Sequence, residues 1–117
     1  MNSIYIIIVA YNGEQWIRKC LNSCIEHNVI IVDNNSEDNS CAVIKEKYPE
    51  VKLIENNENV GFSKANNQGV KIAEGEYILV LNPDTIIAED SLDKIIGFAR
   101  TKQNLGVLGV KLIVFIT

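Results

Sequence analysis

Four short apolar runs, each followed by a stretch of helical spacing, constrain this chain of 117 residues more than any other feature. Ile4 to Ala10 is rich in β-branched residues and reads as a strand buried on both faces. After Gly13, the residues Trp16, Ile17, Cys20, Leu21, Cys24 and Ile25 recur at helical spacing, which predicts an amphipathic helix to about His27. Val29 to Asp33 is a second strand. A helix through Val43 and Ile44 follows, ending before Pro49. Val51 to Glu55 is a third strand. Phe62 to Ala73 reads as a helix closed by Gly75, and Tyr77 to Leu81 as a fourth strand. The helix from Glu89 to about Thr101 turns Leu92, Ile95, Ile96 and Ala99 to the core, and "VLGVKLIVFI" is a last strand-like run.

Strands separated by helices of this length imply parallel pairing through right-handed crossovers. The expected fold is therefore α/β: an open, mostly parallel twisted sheet with helices on both faces. If the first strand is central, the second and third lie to one side and the fourth to the other. One domain accounts for the whole length, with no repeat and no low-complexity segment.

The formal net charge of −4 offers no basic surface for nucleic acid, while a small phosphorylated ligand remains compatible with it. The N-terminal apolar run lacks a basic flank and a small-residue cleavage site, and no run reaches the ~18 residues of a transmembrane helix, so a cytoplasmic location is expected. Three cysteines, an odd number, argue against a disulfide framework and read as buried or half-buried thiols. His27 reads as a helix-end residue.

The polar residues gather at one end of the strands. The first strand runs into Tyr11 and Asn12, the second into Asp33, Asn34 and Asn35, the third into Glu55, Asn56 and Asn57, the fourth into Asn82 and Asp84. In open α/β sheets ligands bind outside the carboxyl ends of the strands, where strand order reverses. That places a crevice between Tyr11 and Asp84, with Asp33 next door. Turn preference explains each loop separately, but not why an amide or carboxylate ends every strand. Within "NNSEDNS", Ser36 or Asp38 is suited to cap the following helix.

Neither a Walker-type loop nor a G-x-G-x-x-G follows the first strand, which argues against a dinucleotide fold. A lone Asp after a strand suits Mg²⁺ or Mn²⁺, which take one or two protein carboxylates and complete the shell with phosphates and water. Asp33 suits a base N–H or a sugar hydroxyl, and Tyr11 suits stacking on a base. A receiver-like signalling domain would want a pair of acids after the first strand, and "AYNGE" offers only Glu14.

Three segments in order, "IIIVAYNGEQWIRKCLNS", "VIIVDNNSEDNS" and "NNENVGFSKANNQGVKIAEGEYILVLNPDT", resemble the family 2 glycosyltransferases of GT-A fold, from Ile4 to about Leu112. The "GFSxANNxG" and "LNPD" patterns are most similar to rhamnosyltransferase-like members of cell-surface polysaccharide synthesis. The resemblance implies a nucleoside-diphosphate-sugar donor, a glycan or lipid-linked acceptor and a divalent cofactor, Mn²⁺ or Mg²⁺. It places Ala10, Tyr11 and Asn12 along the nucleotide and Asp33 at the base. Gly61, Phe62, Lys64 and Asn67 match the stretch closing over base and ribose, with Asn66 beside it. Asn82, Pro83 and Asp84 match the family's Asp-x-Asp motif, with Asp84 on the metal and Asn82, an amide in place of the first carboxylate, near the ribose.

The resemblance further implies inversion at the anomeric carbon, with a carboxylate base in the later half of the domain, beyond Thr117. Glu89 and Asp90 follow the metal motif too closely for that role and read as helix-start acids. The chain is thus expected to be the N-terminal, nucleotide-sugar-binding part of a truncated transferase domain, at the inner membrane surface in the complete enzyme. The alternative is a non-catalytic binding or assembly module of the same descent. The apolar C-terminal run invites pairing with another copy, so a homo-oligomer through that strand is expected.

Overall fold

The computed structural model describes residues 4–102 except 76 and 89, so the C-terminal apolar run lies outside the described residues. Four strands and four helices alternate: β1 (Ile4–Ala10), α1 (Glu14–Cys24), β2 (Asn28–Asp33), α2 (Ser40–Lys47), β3 (Lys52–Glu55), α3 (Phe62–Ile72), β4 (Tyr77–Leu81) and α4 (Ser91–Arg100). The strands form one parallel sheet in the order β3-β2-β1-β4, the arrangement expected for a central first strand.

Two cores lie on opposite faces of that sheet. Ile4, Ile6, Ile8 and Ala10 of β1 meet Ile17, Cys20, Leu21 and Cys24 of α1, Ile44 of α2 and Leu92 of α4. On the other face, Ile30 and Val32 of β2 pack with Ala65 of α3. Gly69 lets α3 sit directly on β1, because a Cβ there would come within 2.7 Å of Ile7 Cγ2.

Covering is incomplete at β4. Its α1-side residues Tyr77, Leu79 and Leu81 join the first core, but Ile78 and Val80 stay 42% and 48% exposed. In register, those two stand beside Tyr5 and Ile7, under the α3 face. Among the described residues, α3 makes its main contacts with β1 and β2. Among the described residues β4 is thus half-covered, where its unbroken apolar run suggests full burial.

Other local readings change for physical reasons. α1 ends at Cys24, and His27 follows it in a turn that donates its N–H to the Cys24 carbonyl. Trp16, at the edge of the helical stripe, is 47% exposed. α3 ends at Ile72 with Ala73 extended, so Gly75 is not its cap. Gly75 instead passes Tyr5 so closely that a Cβ would meet the ring at 2.7 Å. No helix among the described residues is long and apolar enough to cross a membrane.

Candidate functional site

The carboxyl ends of β2, β1 and β4 lie side by side and carry the residues singled out above. Ala10, fully buried, closes β1 opposite Asp33 of β2, and its carbonyl accepts the Asn34 N–H at 2.8 Å. Tyr11 and Asn12 then turn outward; Tyr11 is 50% exposed and Asn12 takes a left-handed φ of 53°. On the β4 side, a Cβ placed on Gly13 would be 3.8 Å from Pro83 Cβ, so the Asn82–Pro83–Asp84 turn rests on the β1–α1 loop.

Asp33 is 2% exposed. Its Oδ2 accepts the Ser36 N–H at 2.8 Å, and its Oδ1 accepts the Ser36 hydroxyl at 2.5 Å. Ser36 does not cap α2, whereas Asp38, two residues before its start, accepts the Ser40 N–H at 3.0 Å and the Ser40 hydroxyl. The N-cap position belongs to Asn39, which makes no side-chain capping bond. Both residues also bind across to the β1–α1 loop. Asn12 N–H donates to Ser36 Oγ at 2.9 Å, and Glu37 N–H donates to Asn12 Oδ1 at 2.7 Å. One turn further on, Glu14 N–H donates to Asp38 Oδ2 at 3.1 Å, and Asn39 N–H donates to Glu14 Oε1 at 3.0 Å.

These bonds set the local electrostatics. Burial works against charge on Asp38, but hydrogen bonds from the Ser40 hydroxyl, the Ser40 N–H and the Glu14 N–H outweigh it and hold the carboxyl below its usual range. Cys41 lies behind Asp33; burial and then the Asp33 and Glu55 carboxylates push its thiol up to about 12. Glu55 is held by Lys45 at 2.8 Å on the surface.

The α3 side is tied by an amide network. Asn34, 2% exposed, donates from Nδ2 to the Gly61 carbonyl at 3.2 Å and accepts Asn56 Nδ2 at 3.1 Å and Val60 N–H at 3.4 Å. Asn56 and Gln68 exchange a reciprocal pair at 2.8 and 2.9 Å. Gly61, at φ 88°, makes the turn into α3 that a side chain would strain. The result fixes the start of α3 over the end of β2, with Phe62 54% exposed and Lys64 and Asn67 exposed on the helix's first turns.

Asn82 and Asp84 are both exposed. The Asn82 carbonyl accepts Thr85 N–H at 3.1 Å and the buried Cys20 thiol at 3.9 Å, and Ser23 Oγ accepts Ile87 N–H at 3.0 Å. α1 therefore holds the segment that carries Asp84. Among the described residues no three His, Cys, Asp or Glu side chains cluster to hold a metal by themselves. One exposed carboxylate fits a Mg²⁺ or Mn²⁺ ion only where ligand phosphates complete the shell.

A cavity of about 350 Å³ opens beside the two laced loops, between Asn12, Glu14, Arg18 and Asp38. A larger one, about 410 Å³, lies at the far end of α1 between His27, Glu26 and Asp93, and none of the residues named from the sequence as ligand contacts borders it. Sequence reasoning missed Asn34, Ser36 and Asp38 as framework of the site. The signal was present as matched short polar residues in two loops, but their partners lie 24 to 27 positions away.

The model of the family described as Glycosyl transferase family 2 matches residues 5–116. The chain belongs to glycosyl transferase family 2. Among its relatives in the family, the poly(ribitol-phosphate) beta-glucosyltransferase of Bacillus spizizenii is 35% identical over 91% of this chain, which corresponds to 18% of that protein. The minor teichoic acid biosynthesis protein GgaB of Bacillus subtilis is 31% identical over 85% of this chain and 12% of its own length. The fold matches S. aureus TarS residues 1–349 with a TM-score of 0.76 at 27% identity, covering 86% of this chain and 33% of that one. A mannosyltransferase from Pyrobaculum calidifontis, in complex with GDP-Man and Mn²⁺, shares the fold with a TM-score of 0.74 at 24% identity, over 80% of this chain and 31% of that one. The family 2 chain thus spans less than a fifth of both curated relatives and about a third of both structures. These neighbours are GT-A glycosyltransferases, and the α/β sheet described here is the matching part of that fold.

Proposed function

We propose that this chain is the donor-binding portion of an inverting glycosyltransferase that moves a sugar from a nucleoside-diphosphate-sugar to a glycan or lipid-linked acceptor. The observation that carries the reading is the convergence of Asp33, Tyr11–Asn12 and Asn82–Asp84 at the ends of three adjacent strands of a family 2 chain. Asp33 reads the base or ribose, Tyr11 and Phe62 offer exposed rings to the nucleoside, and Ala10, Gly61, Lys64 and Asn67 line the nucleotide. Asp84, with Asn82 beside it, holds a divalent ion together with the diphosphate. Bound there, Mn²⁺ or Mg²⁺ supplies charge stabilisation to the leaving diphosphate. None of the acids described here is assigned the role of the base that deprotonates the acceptor hydroxyl. The names of two relatives, a poly(ribitol-phosphate) glucosyltransferase and a teichoic acid biosynthesis protein, favour a polymer of that kind as acceptor. A cytoplasmic location at the inner membrane surface belongs to the same proposal.

The test is thermal unfolding with UDP or GDP and Mn²⁺. A ligand at a hundred times its Kd adds about 2.7 kcal/mol. Asp84→Ala is expected to remove most of the metal-dependent rise. No shift with either saturating nucleotide in the wild-type chain would refute donor binding.

Assembly forms part of the same proposal. The exposed Ile78 and Val80 on β4 support a homo-oligomer formed with the C-terminal apolar run. Light scattering at micromolar concentration is expected to give more than the monomer mass, and Val80→Lys to lower it. A wild-type monomer under those conditions removes this part.

A further inference from the structure

We propose that Ser36 is a positioning residue for the nucleoside end of the donor, and the proposal rests on the donor-binding reading above. Ser36 holds two ligand-facing elements at once. Its N–H and hydroxyl donate to both oxygens of Asp33, at 2.8 and 2.5 Å, and its Oγ accepts the Asn12 N–H at 2.9 Å. A single side chain thus fixes the rotation of the Asp33 carboxylate and the position of the loop that carries Tyr11.

The backbone on both sides is set against its preference. Asn12 at φ 53° and Asn35 at φ 66° are two of the three left-handed non-glycine residues among those described. Such conformations are uncommon for a non-glycine residue, although Asn tolerates them best, and surrounding bonds hold them in place. Here the Ser36–Asn12 and Glu37–Asn12 bonds do so from one loop to the other. The carboxylate accepts from Ser36 on each oxygen and from the Cys41 thiol behind it, and its four lone-pair sites leave room for one donor more. A base N–H therefore meets an acceptor whose direction is already fixed, which is the condition for discriminating one base from another.

Ser36 is thereby assigned to base selectivity, through Asp33 and Tyr11, without touching the ligand itself. Its loss leaves the diphosphate corner at Asp84 intact, since that segment is held from α1 by Cys20 and Ser23. The effect is consequently expected in the preference between nucleotides that share the same ribose-diphosphate.

The experiment is calorimetric titration of the full 117-residue chain with UDP and with GDP, each with Mn²⁺. The wild type is expected to prefer one base. Ser36→Ala is expected to weaken the preferred nucleotide about tenfold or more, the usual scale for a lost hydrogen bond to a charged group, while the other changes little. Ser36→Thr, which keeps the hydroxyl, is expected to retain the preference. Where Ser36→Ala does not fold, Ser36→Cys, with a weaker donor and acceptor, takes its place with a smaller loss. An unchanged UDP-to-GDP ratio in the variant, an equal weakening of both, or a wild type that binds both equally overturns the proposal. A wild type that binds neither overturns the donor-binding reading itself.

Discussion

Gly69 of α3 and Ile7 of β1 are in such close contact that one added methyl group would come within 2.7 Å of Ile7 Cγ2 and within 3.3 Å of two more Ile7 atoms. Ile7 is fully buried in the central strand, so it has nowhere to move. Gly69→Ala gains about 1 kcal/mol of helix propensity and meets an overpacking cost of about 1–3 kcal/mol. A net loss of about 1 kcal/mol is expected by urea unfolding. In an Ile7→Ala background the clash is gone and the same substitution is expected to stabilise. Additive effects in that double-mutant cycle would show that the contact is not strained.

Asn34 answers three backbone and side-chain groups from a buried position: the Gly61 carbonyl, the Val60 N–H and the Asn56 amide. Asn34→Ala takes this partner from the Gly61 carbonyl and the Val60 N–H and leaves Asn56 with Gln68 alone, and the expected cost is about 2–3 kcal/mol. Asn34→Asp keeps an acceptor for Val60 and Asn56 but cannot donate to Gly61, so its loss should be intermediate if it stays ionised. Chemical denaturation of the three proteins gives the order. Equal stability of Asn34→Ala and wild type would mean that water replaces the network.

The strand order and the two-faced covering of the sheet were legible because they follow from short-range rules. Apolar period marks each element, and right-handed crossovers then leave few ways to place β4 beside β1. The strand-end carboxylates Asp33 and Asp84 were legible for the same reason, as polar residues that stop an apolar run. What could not be read was which polar residue answers which. Ser36 fits the local rule for an α2 cap, yet it is taken up by Asn12, 24 residues away, while Asp38 holds the first residue of α2 with one oxygen and the β1–α1 loop with the other. Gly75 likewise fits a helix-closing pattern, while the real constraint is the neighbouring Tyr5 ring. Exposure of Ile78 and Val80 was hidden because composition does not say how far α3 extends sideways over the sheet.

Asp38 makes stability depend on acid. Its carboxyl lies below the ordinary value of 3.8 in the folded chain, so the folded state binds fewer protons than the unfolded one around that pH. The stabilisation is fully present above about pH 4 and is lost as pH falls through the folded value. Between pH 5 and pH 2.5, the melting temperature of Asp38→Asn is expected to fall less steeply than that of the wild type. Parallel curves for the two proteins would show that Asp38 carries no such linkage.

Cys41 is half-buried behind Asp33, and its thiol is pushed up to about 12 by burial first and by the Asp33 and Glu55 carboxylates after it. At pH 8 the reactive thiolate is then scarcer by about a thousandfold than for a cysteine of ordinary pKa near 8.5. Cys20 and Cys24 are fully buried, so none of the three thiols is expected to react promptly with iodoacetamide in the native chain. Glu55→Gln removes one negative neighbour and lowers the Cys41 value, so labelling there should quicken by a few-fold while burial still dominates. Mass spectrometry of the labelled peptide reads both rates. Prompt alkylation of wild-type Cys41 at pH 7, at the rate of a free thiol, would show that the carboxylates and the burial around it do not hold the proton on sulfur.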